Sequence, residues 1–280
     1  MVGEHLAGSL FDHYRRLSES RPYSPDAASA GRRALRNICL DLLVATRRPD
    51  AVSLAARQYQ AADNMTDRMA ALSTLSLCDV PERAAALDDF YARYADDPLI
   101  VDKWFTLQAT IPEPATLDRV KALTGHRAFS FANPNRVRAL IHAFALANQR
   151  EFNRADGAGY DFVVDTVLAL DRKNPQLAAR LLAALKSWRV LEPGRRAMAE
   201  KALQQVAAAP SRSPDVADIV QRALADRLIR SSVTLGRRKR IGPAQGRART
   251  SAGAAANGNR NPAALARGQK ASPDQGRSGD

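Results

Sequence analysis

The sequence has few of the residues that build catalytic and metal sites. It contains only four histidines in 280 residues, and no two of them are spaced as His-x-x-x-His, so the zinc pattern H-E-x-x-H is absent. Neither a G-x-S-x-G nucleophile elbow nor a glycine-rich phosphate loop occurs. The chain therefore lacks the sequence patterns of the common hydrolases and nucleotide-binding enzymes.

Cysteine is nearly absent as well, since only Cys39 and Cys78 are present. Two cysteines do not make a disulfide framework, and both lie in apolar helical segments, so we expect reduced core residues. No signal-peptide stretch opens the sequence, and no apolar run approaches the ~20 residues of a membrane span. These features predict a cytoplasmic protein with no membrane partner.

Strand-like alternation is also rare, whereas apolar residues recur at three- and four-residue spacing almost throughout. Alanine, leucine and arginine are abundant, and these residues favour helix. Prolines punctuate the pattern, which predicts helices of about 10–16 residues with short connections. We therefore predict an all-α fold: a right-handed superhelical α-solenoid of antiparallel helix pairs, of the HEAT or armadillo kind.

Apolar stripes locate the predicted helix faces. The first comprises Ala34, Leu35, Ile38, Leu42 and Leu43. Further stripes follow at Met65, Met69, Leu72 and Leu75; at Leu87, Phe90, Tyr91 and Tyr94; at Val163, Val164, Val167, Leu168 and Leu170; and at Ala199, Ala202, Leu203 and Val206.

The net charge of +13 is unevenly distributed. Residues 231–280 hold ten Lys or Arg against two Asp, together with eight of the fifteen glycines and no aromatic residue. Such a segment buries too little apolar surface to offset its chain entropy. We predict a helical repeat domain over residues 1–228 and a disordered basic tail, rich in Gly, Ala and Arg, over 229–280.

The GRRKR segment at 236–240 keeps a second function class open. It could bind nucleic acid weakly, or an acidic partner, through its charge. The alternative hypothesis is therefore a free-standing α-solenoid binding module with a basic tail, although nucleic acid is not the expected partner of the helical domain.

Arginines at unusual helix positions are the most distinctive feature of the body. Asn133 and Pro134 mark a helix start, yet Arg136 and Arg138 follow, although the positive end of a helix favours acidic residues. Arg180 lies three residues after Leu177, which predicts a position inside the apolar stripe Leu177, Leu181, Ala184, Leu185 and Trp188. Such an arginine either extends its charged end to the surface or pairs with a buried carboxylate, or it lines a water-filled cavity that receives anions or carbonyl groups.

Six segments resemble the C-terminal helical domain of bacterial aminopeptidase N, the zinc-dependent M1 alanyl aminopeptidases of the gluzincin class. The resemblance runs in order from about residue 10 to residue 227, and NMTDRMAAL, DKWFTLQA and NPNRVRAL are its most specific parts. The segments are RRALRNICLDLL (32–43), QYQAADNMTDRMAAL (58–72), DKWFTLQAT (102–110), HRAFSFANPNRVRALIHAFA (126–145), DGAGYDFVVD (156–165) and RKNPQLAARLL (172–182).

The resemblance implies a cup-shaped helical domain that closes over the active site of a larger zinc peptidase. It further implies that Arg138, Gln176 and Arg180 line a chamber that admits small peptides. There the cations would meet the C-terminal carboxylate or the carbonyl groups of a peptide. The implied partners are peptides and the catalytic domain of an M1 aminopeptidase, in cis if the chain is truncated or in trans if it is split.

The departures from the family are equally informative. The zinc ligands, the glutamate base and the G-A-M-E-N motif of the family have no counterpart in this sequence. We therefore expect no catalytic residue and no cofactor in this chain, with zinc held elsewhere in the full-length enzyme. On this interpretation the chain is a fragment or a separated domain that is inactive alone.

Overall fold

Helices account for all the regular secondary structure of the computed structural model in the residues that it describes, 5–19 and 22–225. They are α1 (Ala7–Leu17), α2 (Ala27–Val44), α3 (Pro49–Ala61), α4 (Met65–Ser76), α5 (Pro81–Tyr94), α6 (Pro98–Thr110), α7 (Thr116–Leu123), α8 (Pro134–Val137), the π-helical segment π1 (Arg138–His142), α9 (Ala143–Ala147), α10 (Gln149–Phe152), α11 (Ala158–Asp171), α12 (Pro175–Leu182), α13 (Pro193–Ala208) and α14 (Pro214–Leu224), with 3₁₀ turns at Ala183–Leu185 and Trp188–Val190. The all-α prediction is confirmed for this part of the chain.

Proline and a capping side chain together set most helix starts. Proline occupies the first position of α3, α5, α6, α8, α12, α13 and α14, where its missing N–H is not needed. Several of these helices also carry a side-chain cap, such as Asp97 before α6 and Asn174 before α12. The caps accept hydrogen bonds from the first free backbone N–H groups, so these boundaries follow directly from local sequence.

Packing joins each helix mainly to its near neighbours in sequence. Helix α1 packs on α2, α3 on α4, α11 on α12 and α13 on α14, while α2 also contacts α4 and α12 contacts α14. Nearest-neighbour stacking of helix pairs is typical of an α-solenoid. A continuous apolar core runs through these contacts.

Most predicted stripes are buried, but the stripe on α2 is wrong. Leu35 and Ile38 are exposed, at 47% and 56%, and of the predicted stripe only Leu43 is buried, on a side of the helix that also carries Cys39 and Leu40. Helix α2 is apolar on two sides, so periodicity alone does not identify the side that packs. The tail predicted over 229–280 lies outside the described residues.

Candidate functional site

The candidate site begins at the helical run from Pro134 to Ala147, which joins α8, π1 and α9 without interruption. Asn133 caps it: its Oδ1 accepts hydrogen bonds from the backbone N–H groups of Asn135 (3.0 Å) and Arg136 (3.4 Å). The sequence predicted this helix start correctly. Because the cap fixes where the helix begins, it also fixes the side of the helix on which each following arginine lies.

Arg136 does not face solvent and is buried against α6. Its Nε donates a hydrogen bond to the carbonyl oxygen of Ala128 (2.9 Å), and its Nη1 donates to that of Pro98 (2.8 Å). The same nitrogen pairs with Asp102. Of the two alternatives for an arginine at such a position, pairing with a carboxylate holds for Arg136, and this residue ties the start of α8 to α6.

Arg138, two residues further on, is exposed. Its Nη1 donates one hydrogen bond to Asn135 Oδ1 (2.8 Å), and within the described residues it forms no ion pair. One neutral acceptor leaves most of the guanidinium donors open to solvent. Of the two arginines at this helix start, Arg138 is the one available to a ligand.

The five residues Arg138–His142 form a π-helix, in which Ala143 N donates to the Arg138 carbonyl oxygen. A π segment disturbs the regular pairing of backbone carbonyls and is frequent at functional sites. Thr106 on α6 compensates, since its hydroxyl donates to the carbonyl oxygen of Ala139 (3.0 Å). The segment thus buries Ala139 and its two successors while Arg138 is exposed and His142 half-buried.

Gln176 and Arg180 are also exposed, and they lie one turn apart on the same side of α12. The prediction that Arg180 lies inside the apolar stripe is wrong. The buried arc of α12 is centred nearer to Ala178 and Leu182, so Arg180 falls beyond its edge. For Gln176 and Arg180 the described part of the chain supplies no side-chain hydrogen bond or ion pair.

His142 connects the two helices of the site electrostatically. Burial lowers the pKa of His142 below its ordinary value, and the positive charges of Arg138 and Arg180 lower it further. Both arginines therefore act on one half-buried imidazole, although they lie on different helices. The arrangement offers two cationic donors and a neutral histidine, a combination suited to an anionic or carbonyl-bearing ligand.

Other sequence features have structural roles. Gly157 forms the turn before α11 with a left-handed φ of +76°, and Asp156 Oδ1 accepts a hydrogen bond from Ala158 N (3.1 Å). Cys39 and Cys78 are buried and unpaired, as predicted. Within residues 5–19 and 22–225, no group of three or more His, Cys, Asp or Glu is placed to hold a metal ion, so these residues do not fit a zinc site.

Two contacts of the site were not predicted from the sequence. The Arg136–Asp102 pair joins residues 34 positions apart, and the Thr106 hydroxyl bond joins residues 33 positions apart. No local pattern marks either pair, although both lie in the segments DKWFTLQAT and HRAFSFANPNRVRALIHAFA that carried the resemblance.

The class of protein is an α-solenoid of the armadillo-repeat type, in which stacked helix pairs include the arginine-bearing run from Pro134 to Ala147. The chain belongs to the ARM-repeat family described as a domain of unknown function, DUF3458_C, whose model matches residues 1–225.

Curated relatives connect this family to aminopeptidases. The chain is 37% identical over 223 residues to aminopeptidase N of Caulobacter vibrioides and 36% identical over 224 residues to that of Escherichia coli K12. Each match covers 80% of this chain but only 26% of the relative. The chain is therefore homologous to the C-terminal helical region of aminopeptidase N and spans about a quarter of the length of these relatives.

A solved structure agrees with the sequence relatives. The chain resembles Legionella pneumophila aminopeptidase A, crystallised with aspartic acid, at a TM-score of 0.73 and 30% identity, over 79% of this chain and 27% of that one. Zinc is an attribute of the aminopeptidase N family.

In the part of the chain that the structure describes, none of the helices has the length and apolar character of a membrane span.

Proposed function

We propose that this chain is the helical cap of an M1 zinc aminopeptidase, and that it covers the active site and lines the peptide chamber. In this role it supports the removal of N-terminal residues from peptides by a catalytic domain. Its own contribution is to bind and orient the peptide, and the hydrolytic chemistry takes place on that other domain.

One observation carries the proposal. Arg138, Gln176 and Arg180 are all exposed, and the two arginines act together on His142. Exposed guanidinium groups with open donors, whose charges both act on the same histidine, are suited to a carboxylate, which they can bind by charge-assisted hydrogen bonds.

The size of the relatives supports a catalytic partner. About three quarters of the aminopeptidase N relatives lies outside the matched region, and we assign the zinc, its ligands and the general base to that portion. The exposed apolar side chains Leu35 and Ile38 on α2 would be covered by such a neighbour and would promote self-association without it. The zinc would supply Lewis-acid activation of water at the catalytic domain, and the proposed cytoplasmic location suits a peptide-trimming enzyme.

The test joins this chain to the catalytic portion encoded with it, either as one polypeptide or by co-expression. Arg138→Ala and Arg180→Ala are each compared with the parent enzyme on a tetrapeptide and on alanine p-nitroanilide. We expect KM for the tetrapeptide to rise about tenfold to a hundredfold, because one charge-assisted contact is worth roughly 1.5–3 kcal/mol. For alanine p-nitroanilide, which has no C-terminal carboxylate, kcat and KM should change less than twofold.

Arg196→Ala is the matched control, because Arg196 on α13 is also exposed and its side chain has no hydrogen bond or ion pair within the described residues. This variant should match the parent on both substrates. Equal losses on the tetrapeptide and on the anilide would contradict the chamber-lining role. An assembled pair that cleaves neither substrate would contradict the cap function itself.

A further inference from the structure

A second arginine-rich feature lies at the other end of the described chain. A cavity of about 460 Å³ opens between α1, α2, α3 and the turn into α4. Four arginines line it: Arg32, Arg33, Arg36 and Arg57. Its volume is within the range of small-molecule sites, ≈ 300–1,000 Å³.

A buried polar network forms the floor of this cavity. The Asp67 carboxylate accepts from Asn37 Nδ2 (3.0 Å) and Asn64 Nδ2 (2.8 Å), and it pairs with Arg36 Nη2 (2.6 Å). Gln58 Nε2 donates to Asn37 Oδ1 (2.8 Å), and Gln58 Oε1 accepts from the Tyr14 hydroxyl (3.0 Å). Each side chain of this network is hydrogen-bonded to another of its members. The network therefore holds the Arg36 side chain in one orientation.

The cavity wall keeps hydrogen-bond donors without acceptors. Arg33 Nε and Arg36 Nε are both buried, and neither has a hydrogen-bond partner. Arg33 is held in place, since its Nη1 donates to the Ser24 carbonyl oxygen (2.8 Å) and its guanidinium lies 4.8 Å from the ring centre of Tyr23. A buried unsatisfied donor is costly and calls for an explanation such as a missing ligand.

Arg57 adds a cation that the described residues do not neutralise. It is exposed at the cavity mouth, and within those residues it forms no hydrogen bond or ion pair. Burial raises the pKa of the Tyr14 hydroxyl, and the charges of Arg36 and Arg57 oppose that rise. The charge of Arg57, like that of Arg36, therefore favours a lower pKa for the Tyr14 hydroxyl at the cavity floor.

The acidic residues of the cavity are largely occupied. Asp67 is satisfied by the floor network, and Glu19 lies 3.6 Å from Arg32 Nη2 in an ion pair at the rim. Asp63, which is exposed, accepts a hydrogen bond from Asn64 Nδ2 (2.8 Å). The cavity is thus lined by four arginines and three acidic residues, and of these acids Asp63 alone forms no ion pair within the described residues.

We propose that this cavity is a binding site for a small oxyanion-bearing molecule, a phosphate ester or a polycarboxylate, held by Arg33, Arg36 and Arg57. The guanidinium fork matches the geometry of both anions, and a small shift of Arg33 and Arg36 on binding would give their buried Nε groups the acceptors that they lack. The site is distinct from the Arg138–Arg180 face, so it does not depend on the peptide-binding role.

The test is calorimetric titration of the full chain with inorganic pyrophosphate and, separately, with citrate, at constant ionic strength and pH 7.5. We expect saturable binding of at least one of the two probes. The probe that binds more tightly shows whether the site prefers a phosphate or a carboxylate ligand. Arg57→Ala should weaken that binding about tenfold, and Arg57→Glu should abolish it. Within residues 5–19 and 22–225 the Arg57 side chain has no hydrogen bond or ion pair, so both variants should fold; Arg57→Gln serves as a neutral substitute if the glutamate variant does not.

Arg172→Ala is the control, because Arg172 is also exposed and also lacks a side-chain hydrogen bond or ion pair in the described part of the chain. It should bind within twofold of the parent. All these variants retain the basic segment 231–280, so an anion bound only there would respond to none of them. Absence of saturable binding to both probes, or equal binding by Arg57→Glu and the parent, would overturn the proposal.

Discussion

Arg136 and Arg138 stand two residues apart on one helix and occupy opposite environments. Arg136 is 8% exposed and donates to two backbone carbonyl oxygens and to Asp102. Arg138 is exposed and donates to one neutral side chain. The first arginine fixes the helix start against α6, and the second shares with Arg180 the surface around His142.

The difference shows that partners, rather than residue type or position in the helix, separate a structural arginine from a ligand-binding one. A buried guanidinium that is held by several partners, as Arg136 is, cannot turn to a ligand without breaking those contacts. A guanidinium with open donors adds little to stability but keeps its charge available. The comparison therefore predicts opposite outcomes for stability and for binding.

Arg136→Ala should give the largest effect on stability. It leaves Asp102 without its cation and removes one donor from each of two backbone carbonyl oxygens, so we expect a loss of about 3 kcal/mol in the free energy of unfolding. Urea unfolding followed by circular dichroism measures this loss. Arg138→Ala should stay within ~0.5 kcal/mol of the parent, as is usual for exposed substitutions.

A double-mutant cycle with Asp102→Asn separates the ion pair from the carbonyl contacts. We expect a coupling energy of about 1–3 kcal/mol between Arg136 and Asp102. Equal stabilities of Arg136→Ala and Arg138→Ala would remove the distinction between the two arginines.

Thr106→Val should have a smaller effect, because it removes one hydrogen bond at nearly constant volume. The Ala139 carbonyl oxygen in π1 would lose its donor, and we expect a loss of about 1 kcal/mol in the free energy of unfolding. Thr110→Val is the matched control on α6, since the Thr110 hydroxyl bonds only to carbonyl oxygens of its own helix. Identical losses in the two variants would show that π1 does not depend on Thr106.

Sequence alone predicted the parts of this fold that local chemistry determines. Helix starts were predictable because proline and a capping side chain act within one turn, as at Pro134 with Asn133 and at Pro175 with Asn174. The buried faces of α11 and α13 were predicted correctly, since Val163, Val164 and Val167 on α11 and Ala199, Ala202 and Leu203 on α13 are buried. On α2 two apolar sides compete, and tertiary packing decides between them.

The candidate site was predictable only in part. The resemblance pointed to Arg138, Gln176 and Arg180, and periodicity then misplaced Arg180 because it omitted the small buried residue Ala178. The pairing of Arg136 with Asp102 is a long-range contact that no periodicity reveals. The π segment likewise depends on Thr106 from another helix, so its cause is tertiary.

The smallest expected effect concerns the pH dependence of stability through His142. Burial, Arg138 and Arg180 hold its folded pKa below the ordinary value of 6.5. The unfolded chain then takes up a proton before the folded chain does, so this contribution is full above pH 6.5 and is lost as pH falls through the folded pKa. His142→Gln should narrow the difference in Tm between pH 7.5 and pH 5 by about 2 °C.

Other groups titrate in the same interval, among them His126, whose pKa is lowered by burial and by Arg127. These groups contribute equally to the change of Tm with pH in the parent and in the His142→Gln variant. The difference between the two proteins therefore reports on His142. Arg180→Ala sharpens the test, because removing this cation should raise the pKa of His142 and narrow the difference in Tm by a smaller amount. An Arg180→Ala profile identical to that of the parent would mean that Arg180 does not reach His142, and the shared surface of the two helices would lose its electrostatic support.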